Sequence, residues 1–233
     1  MLLFLYNYLN MKAKINQVSL VIATYNEEES IAYVLDELST YDFHEIIIVD
    51  NASTDGTVEI LSNYKVKVIN QSKKGWGNAV IEGFNVAKGD YITYMDGDGS
   101  YNPTGIIKML EITDKYDFLC CSRYKFNNKS EDDTLFRAFG NKIFTYICNK
   151  FLKLKLSDSL FFYPLIKKED YQNINPKSQN FGLCIEMPLL LARNNLTYTD
   201  VLSLERKRYA GKSKVNAISD GFTILLEVLR MYR

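Results

Sequence analysis

The chain has a single histidine, His44, and no Ser-His-Asp or Cys-His arrangement can be built around it. His44 falls between a helical stretch and a strand, far from every motif described below, and reads as a surface residue. The four cysteines, Cys120, Cys121, Cys148 and Cys184, show no CxxC spacing, and two are adjacent within an apolar run. They read as small buried hydrophobes in a reducing compartment, not as metal ligands or a redox pair. Neither sign of charge is in excess: 28 Lys and Arg balance 28 Asp and Glu, which removes any global reason to expect nucleic acid. No uninterrupted apolar run reaches the ~18 residues of a membrane span. Internal repeats and low-complexity linkers are also missing. The apolar amino end, MLLFLYNYLN, is too short to cross a bilayer and lacks the basic start and cleavage site of a signal peptide. It is read as an extension, residues 1–17, which either precedes a start at Met11 or acts as a loose surface anchor. The expected location is the cytoplasm, at the cytoplasmic face of a membrane.

What is present is a chain of 233 residues, 47% hydrophobic, enough to bury a real core. Short apolar runs over residues 18–23, 45–50, 66–69, 91–95 and 118–121 predict strands. Between them, Ile31, Val34, Leu35 and Leu38 lie on one helical face, and further helices are expected over 57–64 and up to Lys88. Strand and helix alternate about every 25 residues, the pattern of a mostly parallel sheet flanked by helices. Beyond residue 125 the pattern changes. KFNNKSEDDT is a polar loop, and amphipathic helices are expected over 137–155 and 218–231. The 137–155 helix carries Phe139, Ile143, Phe144, Ile147, Phe151 and Leu152 among four lysines. Two readings fit it: a helix lying on an anionic membrane, or a core helix with a solvated basic edge.

The stretch YITYMDGDGSYNP places Asp96 and Asp98 at the end of a buried strand, and Pro103 opens the next helix. In an open α/β sheet that end faces a ligand crevice. An EF-hand is excluded, because Tyr101 and Ile107 stand where its glycine and glutamate belong. Two carboxylates at i and i+2 suit a hard divalent cation that also holds a diphosphate, although a plain acidic turn has the same composition.

The neighbouring motifs occur in a fixed order: VIATYNEEESI, IIIVDNASTDGT, KKGWGNAVIEGF, DYITYMDGDGSYNP, CSRY and RAFGN. Together they resemble family-2 glycosyltransferases of the GT-A fold, in the branch of the dolichyl-phosphate mannose and glucose synthases. The resemblance implies one Rossmann-like α/β domain over residues 18–233, with a nucleotide-sugar half (18–125) and an acceptor half (126–233) that ends in amphipathic helices. It implies transfer of a sugar from GDP-mannose or a UDP-hexose to a polyprenyl phosphate, with inversion, assisted by Mg²⁺ or Mn²⁺ on a peripheral membrane enzyme.

Placed residue by residue, the resemblance puts Ala23, Tyr25 and Glu27 at the nucleotide, with Ala23 in place of a usual proline. Asp50 falls at the base, and Asp55 and Gly56 in the turn after it. Asp96, Gly97 and Asp98 fall at the nucleotide sugar, with both aspartates on the metal. Ser100 occupies the place of a further metal ligand that relatives fill with Gln or Glu. Arg123 falls near the sugar diphosphate, Arg137 and Ser213 at the acceptor phosphate, and Arg208 and Lys214 in a basic loop, RYAGKSK, that closes over the diphosphates. Asp96, Asp98 and Arg123 would carry the catalysis.

One stretch departs from the family. DSLFFYPL, residues 158–165, stands where relatives read DSQSGFR, keeping Asp158 but not the Gly and Arg. A hydroxyl acceptor, such as a glycan, is the alternative that this leaves open, as is a non-catalytic nucleotide-sugar module. A hydroxyl would need a base. The carboxylates available are Asp158, which reads as a helix-start cap, and Glu186, which reads as half of a structural pair. A sugar-1-phosphate nucleotidyltransferase is disfavoured, because ATYNEEES has no glycine-rich loop.

Overall fold

In the computed structural model, which describes residues 13–71, 73–213 and 217–232, the apolar runs assemble into one seven-stranded sheet. The strands are β1 (Val18–Thr24), β2 (Glu45–Asp50), β3 (Lys67–Asn70), β4 (Tyr91–Asp96), β5 (Phe118–Ser122), β6 (Pro164–Lys167) and β7 (Tyr198–Leu202). Their order across the sheet is β3-β2-β1-β4-β6-β5-β7. Only β6 runs antiparallel, to both β4 and β5.

The helices are α1 (Ile31–Leu38), α2 (Thr57–Leu61), α3 (Trp76–Val86), α4 (Thr104–Leu110), α5 (Leu135–Phe151), α6 (Lys168–Gln172), α7 (Leu183–Arg193) and α8 (Ala217–Tyr232). The α1 stripe buries Ile31, Val34, Leu35 and Leu38 as its spacing predicts, each such side chain contributing about 1.5–3 kcal/mol. Gly83 lets α3 lie directly on the sheet, since a Cβ there would sit 2.4 Å from Val21 and 3.1 Å from Val49. Ile15, ahead of β1, is buried in the same core, and the Gln17 carbonyl accepts from the Tyr91 N–H.

Strand order reverses between β1 and β4, with β2 and β3 to one side. Thr24 pairs with Asp50 and Ala23 with Asp96, so the carboxyl ends of β1, β2 and β4 lie level. A crevice outside such a reversal is where open α/β sheets bind ligands.

Four elements have no counterpart in the sequence reading: β6, α6, β7 and α7. β6 is four residues long and begins at Pro164, a place where a strand tolerates proline. It begins with the last two residues of DSLFFYPL, and Thr93 donates from its hydroxyl to the Pro164 carbonyl at 2.6 Å. β7 alternates weakly, and α7 carries Pro188 in its interior, which removes one helical N–H and hides the helix from propensity.

α5 packs on the core through part of its length only, with Cys148 buried and Phe144 and Ile147 against it. It buries Asn141, Thr145 and Cys148 and turns Leu135, Phe136, Phe139, Ile143 and Tyr146 outwards. Its inner face is held by polar contacts: Thr145 donates to Ser159 at 3.0 Å and Asn149 to the Leu156 carbonyl at 2.8 Å. α8 packs beside it, burying Ile224 and Val228 and exposing Phe222, Leu226 and Leu229. Among the described residues, no helix is long and apolar enough to cross a membrane.

Candidate active site

The loops after β1 and β2 are bound to each other. Asn26 donates its N–H to the Ser53 hydroxyl (2.9 Å) and accepts from the Thr54 N–H (2.8 Å). Glu28 accepts from the Gly56 N–H at 2.7 Å, while Asp55 accepts from the Glu28 N–H at 3.2 Å. Burial alone would raise the Asp55 carboxyl, but hydrogen bonds from Thr57 and Glu28 outweigh it and hold the group below its ordinary value. Asp50 is buried beneath these loops and accepts from the Thr24 hydroxyl (3.1 Å) and the Ser53 N–H (3.0 Å). Asn26 and Ala52 are both left-handed, at φ 53° and 58°. For alanine that conformation costs on the order of 1–2 kcal/mol, and such strain gathers at ligand-binding turns.

At the end of β4, Asp98 is buried, and its Oδ1 accepts from the Ser100 N–H (2.9 Å) and hydroxyl (2.7 Å). Its Oδ2 lies 3.2 Å from Nη1 of Arg208. Oδ1 of Asp96 accepts from the Tyr94 hydroxyl. Burial, and then the charge of Asp98, push Asp96 up to about 7. The Gly97 carbonyl between them accepts from Ser30 at 2.9 Å, tying the pair to the start of α1.

Two adjacent carboxylates are the hard oxygen donors that Mg²⁺ or Mn²⁺ takes, and they fit such an ion in ligand type. The Ser100 hydroxyl donates to Asp98 and so holds that carboxylate in place. Among the described residues no group of three or more His, Cys, Asp or Glu is placed to hold a metal. The pair would therefore share an ion with a diphosphate and water.

The segment 205–209 lies over this turn. Arg206 donates its N–H to the Ser100 carbonyl (2.9 Å) and Tyr209 to that of Asp98 (2.8 Å). The Tyr209 ring stacks on Tyr33 at 4.1 Å, and Arg206 grips Glu37 through two bonds of 2.8 and 2.9 Å. Arg208 spans Asp98 and Asp132, the latter at 3.1 Å. Behind it, Arg123 is buried, with bonds to Asp158 (Nε, 2.7 Å; Nη2, 3.1 Å) and contacts to Glu205 (3.4 Å) and Asp133 (3.7 Å). Burial opposes its charge, but the carboxylates of Asp158 and Glu205 hold the guanidinium above its ordinary value. Arg137, at the start of α5, pairs with Asp133 at 3.4 Å.

These groups line a cavity of about 550 Å³. Its wall is mixed: Asp96, Asp98, Arg208, Arg137 and Arg123 stand in it together with Phe144, Leu160, Phe181, Phe222 and Leu225. α5 and α8 supply Phe144, Phe222 and Leu225 of that apolar lining.

Residues 19–174 match the family model described as glycosyl transferase family 2. The chain belongs to that family. Glycosyltransferase AglJ of Haloferax volcanii is 30% identical over 216 residues, 91% of this chain and 71% of that protein. The undecaprenyl-phosphate 4-deoxy-4-formamido-L-arabinose transferase of Proteus mirabilis is 29% identical over 150 residues, and that match covers 59% of this chain and 44% of the relative. Glucosyl-3-phosphoglycerate synthase from Mycobacterium tuberculosis in complex with UDP superposes with a TM-score of 0.73 over 96% of this chain and 82% of that one, at 17% identity. The same synthase with Mn²⁺, UDP and glucosyl-3-phosphoglycerate superposes at 0.68 over 95% and 81%, at 16% identity. At such identity the likeness is one of fold, the GT-A fold.

In this glycosyltransferase the sequence-identified residues fall into two neighbouring groups. Ala23, Tyr25, Glu27, Asp50, Asp55 and Gly56 belong to the ends of β1 and β2 and the loops after them. Asp96, Asp98, Ser100, Arg123, Arg137, Arg208 and Ser213 line the cavity. Lys214 lies outside the described residues, as do residues 1–12 of the apolar amino end.

Two readings change. Asp158 does not cap a helix: it is the buried counter-charge of Arg123 and also accepts from Asn141 at 2.7 Å. Among the described residues Glu186 makes no ion pair, and it accepts the backbone N–H groups of Lys177 (2.8 Å) and Ser178 (2.7 Å). Sequence reasoning missed Asp132, Asp133 and Glu205, which neutralise the arginines. The only signal for them was the unusual density of acid in SEDDT and the acid next to RKR in ERKR.

Proposed function

We propose that this glycosyltransferase moves a sugar from a UDP- or GDP-sugar to a polyprenyl phosphate, in the manner of the dolichyl-phosphate mannose and glucose synthases. The observation that carries this is the mixed lining of the cavity. Its arginines suit a phosphate, and the apolar side chains that α5 and α8 add to the wall suit a long isoprenoid tail. The relatives named for undecaprenyl-phosphate transfer point the same way.

The donor would lie along the ends of β1, β2 and β4, its base over the Asp50 side and its diphosphate at Asp96 and Asp98. A divalent cation bound there would supply charge neutralisation for the departing diphosphate. Arg208, released from Asp98, would add donors to the same charge. An acceptor phosphate oxygen then bonds to the anomeric carbon as the bond from that carbon to the diphosphate oxygen breaks. Attack from the opposite face inverts the configuration, and the nucleoside diphosphate leaves with the electron pair. Arg137 and Ser213 would hold the acceptor phosphate.

A phosphate is already anionic and needs no base, whereas a hydroxyl does. Both candidate bases are engaged: Asp158 by Arg123 and Asn141, and Glu186 by two backbone N–H groups. The outward apolar faces of α5 and α8, with Lys142 and Lys150 exposed beside them, fit attachment to an anionic cytoplasmic membrane face.

Two variants test the acceptor. Arg137→Ala should raise the acceptor KM or abolish transfer while nucleotide binding survives, and Glu186→Gln should cost little. The opposite pattern would move the assignment to a hydroxyl acceptor.

A further inference from the structure

Trp76, the only tryptophan of the chain, stands at the first position of α3 and forms part of the cavity wall. Its ring stacks on Phe181 at 4.9 Å and meets Tyr94 and Phe162 edge-on at 5.5 and 5.1 Å. The glycines on either side seat it. A Cβ at Gly75 would lie 2.4 Å from the Gln179 carbonyl oxygen, and one at Gly77 would lie 2.2 Å from that of Ser178. The start of α3 is thus pressed against the segment ahead of α7 in a way no larger residue permits.

From this seat Nε1 of Trp76 lies 2.8 Å from the Tyr94 hydroxyl, which in turn bonds to Oδ1 of Asp96. With Asp96 ionised, the direction of both bonds is forced. An indole N–H can only donate, so the Tyr94 oxygen accepts from it. The one phenolic proton is then left to point at Asp96. Tyr94 is fully buried on β4, so water does not compete for either bond.

We propose that Tyr94, oriented by Trp76, is a positioning residue for Asp96. It occupies Oδ1 and thereby fixes Oδ2 as the oxygen presented to the donor diphosphate and its cation. Partners of metal-binding carboxylates have this role generally, and their loss costs roughly 10–100-fold in metal affinity. This inference rests on the reading of Asp96 as a donor-site carboxylate, and the test separates the two.

Mn²⁺ binding in the presence of UDP is measured by the spin-resonance signal of the free ion. The wild type is compared with Tyr94→Phe, Trp76→Phe and Asp96→Asn, and thermal melts of each are recorded. Tyr94→Phe keeps the ring and removes only the donor. It should melt near the wild type, weaken Mn²⁺ by about tenfold or more, and shift the emission of Trp76 to the blue as the indole loses its acceptor. Trp76→Phe should weaken Mn²⁺ less, because Tyr94 can still reach Asp96. It also decides the matter if Tyr94→Phe fails to fold. Wild-type Mn²⁺ affinity in whichever of these variants folds overturns the inference. If the wild type itself binds no Mn²⁺ with UDP, or if Asp96→Asn binds as well as the wild type, the donor-site reading fails and takes the inference with it.

Discussion

Nη1 of Arg208 lies 3.2 Å from Oδ2 of Asp98, so a guanidinium holds the carboxylate oxygen that a divalent cation would take. The two cannot share it, since like charges at that separation repel. Arg208→Gln should therefore bind Mn²⁺ more tightly in the absence of donor, as measured by titration, yet transfer sugar more slowly. Asp98→Asn should lose turnover by ~10²-fold or more, the scale of losing electrostatic stabilisation of a leaving group, with its melting temperature retained.

Asp96 gives the protein a pH dependence of known sign. Its folded-state value of about 7 stands above the 3.8 of an ordinary aspartate. Between those values the folded chain binds a proton that the unfolded chain does not, so the contribution is present at low pH and lost as pH rises towards 7. The metal-free protein should lose melting temperature across that window, and Asp96→Asn should flatten the dependence. Mn²⁺ affinity should rise over the same range, because the cation needs the ionised carboxylate. A metal-free melt that rises steadily from pH 4 to 7 in proportion to Asp96 would contradict the assignment.

The Arg123–Asp158 pair is buried on both sides, with Asn141 completing the carboxylate's bonds. Removing Asp158 leaves Arg123 only its longer contacts to Glu205 and Asp133. Asp158→Ala should cost about 3–5 kcal/mol in denaturant unfolding. The paired replacement Arg123→Met with Asp158→Leu should recover only part of it, because Glu205 and Asp133 then lose a cation as well, and transfer should be impaired.

The outward faces of α5 and α8 predict membrane attachment. Leu135 is 92% exposed, Phe139 64% and Phe222 62%, which is more apolar surface than scattered surface hydrophobes explain. Wild-type protein should co-sediment with anionic vesicles at low salt, and salt should weaken that binding by screening Lys142 and Lys150. Phe139→Asp with Phe222→Asp should abolish it. Equal sedimentation of the double variant would place the contact elsewhere.

The parts of this architecture legible in the sequence are those with strong local signals. EIIIVD is a continuous apolar run ending in an acid, and β2 spans those same residues. The Ile31, Val34, Leu35, Leu38 stripe could only be a helix face. The α5 stripe was equally regular but left its direction open, because periodicity identifies an apolar face without saying what lies against it. Asn141 and Thr145 settle the direction, through partners 17 and 14 residues away. β6 and α7 were hidden by Pro164 and Pro188. Within the site, Asp96 and Asp98 were legible from their place at a strand end. The relay from Trp76 through Tyr94 joins residues 18 positions apart on a helix and a strand, and no spacing rule reports it.

The central claim is that the acceptor is a lipid phosphate. Its most direct test compares two acceptors that differ in one group: undecaprenyl phosphate and undecaprenol, each in detergent with Mn²⁺ and a panel of radiolabelled UDP- and GDP-sugars. For at least one donor, label should pass into the organic phase with the phosphate and not with the alcohol. Equal labelling of both lipids, or label moving only to a water-soluble glycan, would contradict the account.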